Sequence, residues 1–498
     1  KRPFSRGYNF SSRRRKSMEH YDVCIVGGGP GGLAALSAII EPYSIDKMTD
    51  SESALAAHAY GAPTRVVPRV CVIDPSDIWL HAWKTRFQSL MIAWLRSPIG
   101  AHPDTFDVSS LFAYAVRQGR QDEILDSGVN KKVVRGLPEA HNGLLSLPSN
   151  SLFEDFCDDL TRRLPHTFYQ GRAASVKETS DESLIVALED GRAVRSKAVV
   201  LALGAPGPPA IPENLAAVPR SLMIHSDDGL GSRLQEIDGK REVLVVGGGL
   251  TAVQCAQLAI AKGCQVTLVS RRPLTTRQFD VNESWFDHRQ SSRRHFEFFD
   301  QAIEERAKHI RAARGGGSVP PLYMSEIKSA ISAGQLEHIV GEVYVSKILE
   351  NAVEVMMGDN KEIRRFDVIL NACGHRPDCL KLPIIKELQN ASPVVVIDGL
   401  PMLSPDLQWG DYKRLFVIGA LASLQVGPDA ANLMGLRRAA QIVTQNCDLD
   451  VWAKSSAVAQ WNDVKSNRFA AFAMSDSEDS CDSDSAEDSD SDDNSDEL

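Results

Sequence analysis

Short, nearly unbroken apolar runs of five or six residues recur along the chain, and two of them lead through glycines into stretches whose apolar residues repeat every three or four. That alternation is expected of strands buried on both faces and joined by amphipathic helices, so it predicts an α/β protein built from Rossmann-type βαβ units. The first unit begins with the strand Tyr21–Val26, turns through Gly27–Gly32 and continues as a helix with Leu33, Leu36, Ile39 and Ile40 on one face. Its next strand is expected within Arg69–Pro75 and ends in the acid Asp74, 47 residues past Gly27. The usual interval is roughly 20, so residues 41–68 read as an insertion.

Ser183–Gly204 reads as a hairpin: "LIVAL", a turn at Asp190-Gly191, then the long strand "AVRSKAVVLALG". Prolines in "GAPGPPAIP" break the pattern. A second unit starts at Glu242 with "VLVV", a helix over Val253–Ala261 closed by Gly263, and the strand "CQVTLVS". Residues 273–330 are polar, arginine-rich and read as helical, with "RGGGS" near Gly315 as a flexible point. An apolar strand from Phe366 leads to "NACGHRP", and a last strand and helix occupy 414–443.

Charge changes this picture at the ends. Residues 1–17 hold seven basic residues and no acid, and residues 475–498 hold twelve acids and no base, leaving −5 for 18–474, an ordinary surface with no case for nucleic acid. The basic arm suits an organelle transit or nuclear-import segment, or a disordered arm without an address. The acidic, serine-rich tail is expected to be disordered, and either solubilises the chain or serves a kinase or protein partner. Its "SDEL" ending resembles a retrieval signal but is discounted for want of a secretory leader. No run of roughly 18 apolar residues predicts a membrane span, and the cytoplasm is the expected compartment. Nine cysteines are scattered singly, without a Cys-x-x-Cys or Cys/His cluster, so no metal is expected and the thiols read as reduced.

The candidate chemistry lies in the two glycine loops. In the first, the G-x-G-x-x-G spacing falls on Gly27, Gly29 and Gly32. The first glycine allows the tight turn, the second lets a pyrophosphate approach, and the third lets helix pack on strand, while the helix N-terminus presents N–H groups to the phosphates. In the second loop the positions are Gly247, Gly249 and Ala252. The first unit ends in Asp74, suited to a free ribose hydroxyl; the second ends in Ser270, Arg271 and Arg272, where guanidinium groups suit a 2′-phosphate or are plain solvated charges. The contrast predicts FAD on the first loop and NADPH on the second, with NADPH reducing the flavin.

Together these motifs resemble the FAD- and NADPH-dependent monooxygenases of the flavin-containing and N-hydroxylating (ornithine/lysine) type, over most of residues 20–445. "VVLALGAPGPPAIP", Val199–Pro212, is similar to their "ATG…P" crossing and implies that Gly204 meets the cofactor. "MIHSDD" is similar to the "HS" of the N-hydroxylating enzymes, which makes His225 and Ser226 candidate catalytic residues, a packed histidine being the alternative. "VILNACGHRPD" is similar to a second strand end of the family, with His375 and Arg376 as cofactor contacts or a surface turn. "LFVIGALASLQVGPDAANL" resembles the closing flavin motif and implies Gly419 and Asn432 at the cofactor, although Ala420 stands where many flavoproteins place an Asp. Residues 74–115 resemble the segment beside flavin and substrate, and there Trp79, Trp83, Phe87 and Trp94 either stack near the flavin or fill the core. A substrate-holding Lys is not evident; Arg96 is the nearest basic residue.

The resemblance implies two Rossmann-like dinucleotide-binding domains, the NADP domain inserted into a discontinuous FAD domain. Its boundaries are a basic arm at 1–17, FAD-binding parts at 18–215 and 369–447, the NADP-binding domain with a helical insertion at 216–368, a C-terminal helix at 448–474 and the acidic tail at 475–498. It also implies that O2 adds to the reduced flavin and the peroxyflavin oxygenates a nucleophilic N or S centre, or a carbonyl, of a small molecule. A flavin-binding regulator with little turnover is the alternative. A disulphide reductase is disfavoured, because no close cysteine pair is visible.

Overall fold

The computed structural model describes residues 18–40, 67–127, 145–237, 239, 241–287, 290–358 and 361–447. The basic arm, most of the 41–68 insertion, the C-terminal helix expected at 448–474 and the acidic tail lie outside the described residues. β1 (His20–Val26), α1 (Pro30–Ile40) and β2 (Val70–Asp74) make the first βαβ unit. α2 (His81–Ser89) and α3 (Asn150–Arg163) follow before β3 (Thr167–Gln170). Three antiparallel strands then run through β4 (Ala173–Glu178), β5 (Leu184–Leu188) and β6 (Ala193–Leu201). The hairpin expected at Asp190-Gly191 joins β5 to β6.

The second sheet gathers β7 (Met223–His225), β8 (Glu242–Val246), β9 (Gln265–Ser270) and β10 (Leu336–Val340), with α4 (Leu250–Ala261) crossing from β8 to β9. Between β9 and β10 the arginine-rich stretch folds as α5 (Ser291–Phe299), α6 (Ile303–Arg314) and α7 (Pro321–Ser332). A small antiparallel sheet, β11 (Val343–Ile348), β12 (Val353–Met357) and β13 (Glu362–Phe366), precedes β14 (Val368–Asn371). The order is β10-β9-β8-β14-β7, all parallel. The chain then returns to the first sheet as β15 (Leu415–Val417), parallel to β6, and ends the described part with α8 (Leu433–Asn446).

The first sheet has the order β3-β2-β1-β6-β5-β4, with β15 beside the second half of β6. β1 lies between two parallel neighbours, which is why Val23, Cys24 and Ile25 are fully buried and the run reads as continuously apolar. Val243, Leu244 and Val245 of β8 are buried in the same way at the centre of the second sheet. α1 was expected to bury one face; instead every residue from Gly31 to Ile40 is buried, because α8 closes its other side through Ala34, Ala38 and Ala440. Both sheets belong to one compact unit.

Candidate functional site

In an open parallel sheet ligands meet the carboxyl ends of the strands, and three such ends lie side by side here. Val26 of β1 and Val417 of β15 both pair with Leu201 of β6, so Gly27, Gly204 and Gly419 leave the sheet along one edge. The first glycine loop has little room where it turns and much where it opens. A side chain on Gly27 would stand 2.3 Å from the Ala202 carbonyl oxygen, and one on Gly32 only 1.8 Å from that of Gly27. Around Gly29 nothing lies within 4 Å of where a Cβ would sit. The loop therefore has the open cradle a pyrophosphate needs, at the mouth of α1. Asp74 sits at the end of β2 with its carboxylate against the loop, accepting from the Gly28 N–H at 2.8 Å and the Ser76 N–H at 2.9 Å.

The closing motif is braced by charge. Asp429 is fully buried and accepts two hydrogen bonds from the Arg438 guanidinium, at 3.0 and 2.9 Å, across the first turn of α8. Asn432 caps the start of α8 with its backbone, while its side-chain amide donates to Asp280 at 3.0 Å. Asp280 also pairs with Arg314, which in turn donates to the Pro428 carbonyl. None of these partners of Asn432 was anticipated, since they come from the 273–330 stretch.

The second loop begins with Gly247, where a Cβ would fall 2.6 Å from the Ala372 carbonyl oxygen, and Ala252 is fully buried at the third position. Arg271 and Arg272 follow β9 and are exposed. Ser270 donates to the Arg272 carbonyl at 2.7 Å, and its hydroxyl lies 2.8 Å from His338 Nε2. The "RGGGS" segment departs from expectation. Rather than hanging free, it packs back on this loop, with the Gly317 Cα 3.6 Å from where a Gly249 side chain would begin.

Arg96 commits its N–H groups to neighbours in the chain. It is half-buried and donates to the carbonyls of Gln278, Arg277 and Ser318 at 2.8, 3.0 and 3.2 Å and to the Ser318 hydroxyl at 2.6 Å. Burial lowers its pKa to about 10. Trp79 is buried, donating to His166 at 3.0 Å and standing edge-on to Phe168, whereas Trp83 stacks on Phe87 with ring centres 4.2 Å apart. Phe87 and Trp94 line a cleft of about 850 Å³ between α2 and the N-terminus of α3.

His225 is a linking residue by its contacts. Its Nδ1 lies 3.1 Å from the Asp227 N–H and accepts from it, so the proton belongs on Nε2, 3.1 Å from the Gly374 carbonyl. Both ring nitrogens are engaged with backbone. Ser226 is buried, and its N–H donates to the Asn371 carbonyl. His375 reaches Asp227 at 3.1 Å from one side and Arg86 of α2 reaches it at 2.7 Å from the other. Burial works against the Asp227 carboxylate, but the His375 hydrogen bond and the Arg86 charge outweigh it and hold its pKa below the ordinary value.

Burial also lowers the pKa of His225 from 6.5, against the pull of the Gly374 carbonyl. The unfolded chain takes up a proton as pH falls through about 6.5, while the folded imidazole does not until its own lower pKa is reached. Stability from this residue is therefore full above about 6.5 and is lost as pH falls from there through the folded pKa. His295 and His338 are shifted the same way by burial and add to the slope. Urea unfolding is expected to show stability rising between pH 5 and 7, with a flatter rise in His225→Gln; an unaltered slope in that variant would remove His225 from the account.

Against the expectation of no close cysteine pair, the fold brings one together. Cys24 and Cys71 face each other in register across β1 and β2. Both are free and fully buried, and burial, with the Cys24 hydrogen bond, pushes the Cys71 thiol well up. Distance along the chain hid the pair. Sealed inside the sheet, they are closed to a disulphide substrate. Cys373, at the end of β14, is the one exposed cysteine among the described residues.

A family model described as pyridine nucleotide-disulphide oxidoreductase matches residues 124–288. No curated protein matches the chain. Among solved structures, the ornithine N-hydroxylase of Kutzneria sp. 744, with reduced FAD, NADP+ and L-ornithine, is 14% identical, with 86% of this chain and 99% of that one covered and a TM-score of 0.62. The L-lysine 6-monooxygenase of Pseudomonas syringae is 18% identical over 86% and 99%, at 0.58. The chain has the fold of these flavin monooxygenases. The FAD-bound cadaverine monooxygenase of Erwinia amylovora agrees, at 13% identity, 86% and 94% coverage and 0.59. Among the described residues no helix is long and apolar enough to cross a membrane.

Proposed function

We propose that the protein is an FAD-dependent, NADPH-consuming monooxygenase that oxygenates a nucleophilic N or S centre, or a carbonyl, of a small molecule. The observation that carries this reading is the open cradle at Gly29, set where β1, β6 and β15 end together, in a chain whose second glycine-loop unit ends in Arg271 and Arg272. Bound flavin would supply hydride acceptance and oxygen activation. The chain's part is to hold it. The N–H groups at the mouth of α1 would take the pyrophosphate, Asp74 the ribose, and the positive end of α8 would favour negative charge on the flavin ring. Gly204 and Gly419 belong to the same edge. His225 and Ser226 are assigned to holding the crossing between the sheets, not to proton transfer.

The test is NADPH oxidation by the purified yellow protein, with a screen of amines, sulfides and ketones scored by incorporation of oxygen from O2. Steady NADPH loss with no oxygenated product overturns the monooxygenase part. The joint change Arg271→Ala and Arg272→Ala is expected to shrink the preference for NADPH over NADH about 10- to 100-fold, the effect of losing hydrogen bonds to a charged phosphate worth ~1.5–3 kcal/mol. Equal losses for both nucleotides would take the arginines off the 2′-phosphate. One observation favours a protein of low turnover, a flavin-binding regulator: Gly317 lies across the second loop.

A further inference from the structure

The two glycine loops differ in what faces them. Gly29 of the first looks onto open space, whereas a side chain on Gly317 would come within 3.2 Å of the Gly249 Cα and 3.4 Å of its nitrogen. Gly249 is the position at which a dinucleotide pyrophosphate must come closest to the backbone. We propose that Gly315–Gly317 is a strap over the second dinucleotide loop, latched by Arg272, and that the 2′-phosphate of NADPH opens it by drawing Arg272 off the Gly315 carbonyl. The proposal rests on reading that loop as the NADPH site.

Three features of the segment fit a strap. Its residues have φ of 61°, 82° and 108°, a run in the region that glycine enters without penalty and other residues resist. A side chain on Gly316 would fall 2.3 Å from the Arg272 guanidinium, so the arginine fills the space a side chain would take. Both flanks are tied down. Arg277 donates to the carbonyls of Ala313 and Arg314 at 3.3 and 2.7 Å, and Arg96 holds Ser318 through its carbonyl and hydroxyl. Movement is thereby confined to the three glycines.

The latch is weak by construction. Arg272 reaches the Gly315 carbonyl at 3.4 Å, beyond the usual range for a strong N–H···O bond, and that carbonyl is neutral. A phosphate is a charged acceptor and makes a stronger bond with the same guanidinium. NADH carries every other group that the loop would bind but nothing to move Arg272. Selectivity for NADPH then comes partly from opening the strap, beyond the direct contact, because a ligand's apparent affinity falls with the fraction of protein in its competent form.

The experiment uses the full chain with NADPH and NADH as probes, and two variants. In Gly317→Ala an alanine cannot hold φ of 108° without strain and its Cβ presses on Gly249, so the strap is biased open. Arg272→Ala removes the latch from an exposed position. Without nucleotide, amide hydrogen exchange over 247–251 is expected to quicken in both, by ~10-fold if the open form rises from about a tenth to nearly all. Gly317→Ala should also bind NADH about tenfold more tightly, narrowing its gap to NADPH. In the wild type NADPH, and not NADH, should speed exchange over 315–318. Exchange over 247–251 that is unchanged in both variants overturns the strap. Faster exchange in the variants, with neither nucleotide bound by any form at millimolar concentration, places the failure in the NADPH reading: the cover is real, but this phosphate does not open it, and the proposal as stated falls.

Discussion

Gly29→Ala is expected to fold like the wild type but hold flavin more weakly, whereas Gly32→Ala, three residues on in the same loop, is expected to lose stability itself. The contrast follows from what each added methyl would meet. At Gly29 there is no atom within 4 Å, so the protein without cofactor has no reason to notice an alanine. The methyl does, however, take the space through which the loop would approach a pyrophosphate. A misfit of one methyl costs ~1–3 kcal/mol, so flavin affinity should fall about 10- to 100-fold while the melting temperature of the flavin-free protein stays put. At Gly32 the methyl would lie 1.8 Å from the Gly27 carbonyl oxygen, which is backbone and cannot rotate away. Strand and helix would have to part, at a cost of ~3 kcal/mol or more, and urea unfolding should show it with or without flavin. Flavin titration and unfolding of the two variants thus separate binding from folding. An undiminished affinity in Gly29→Ala would mean that this loop does not cradle the pyrophosphate.

That contrast was partly legible in the sequence, because the loop's geometry is local: strand, turn and helix lie within 21 residues, His20 to Ile40, and glycine is the residue that such a turn requires. The same holds for the β5–β6 hairpin and for α4, ended by Gly263. What stayed hidden depends on contacts between distant segments. Arg96 meets Gln278 and Ser318 across more than 180 residues, and its four acceptors explain why it cannot replace the missing substrate-holding Lys. Gly317 meets Gly249 across α4, α5 and α6. A run of three glycines carries no periodicity that could reveal packing, and it read as flexible for that reason. Cys24 and Cys71 show the same limit, since register across parallel strands is not written in either strand alone.

Arg438→Met is expected to be among the most destabilising single changes in the chain, by ~3–5 kcal/mol in urea unfolding, and the loss should be largely reversed by adding Asp429→Asn. Asp429 is fully buried, and the Arg438 fork supplies two hydrogen bonds to its carboxylate; removing the arginine strands a charge with no water to turn to. Arg438 also donates to the Val426 carbonyl at 3.0 Å, so the single change loosens the loop on both sides of Gly427. Replacing both partners by neutral groups removes the stranded charge, and buried pairs exchanged as a unit are commonly near neutral. The double variant then asks a question that the single one cannot. Its fold should be sound and the backbone bond from the Asn432 N–H to the Asp429 carbonyl intact, at 2.7 Å in the native chain. If its flavin affinity also recovers, the ion pair serves to set the loop at the head of α8, and shape is what the flavin needs. If stability returns and affinity does not, the pair's placement in the closing motif acts on the flavin directly. A double variant as unstable as Arg438→Met would show that the cost comes from lost packing, and the stranded charge would no longer explain it.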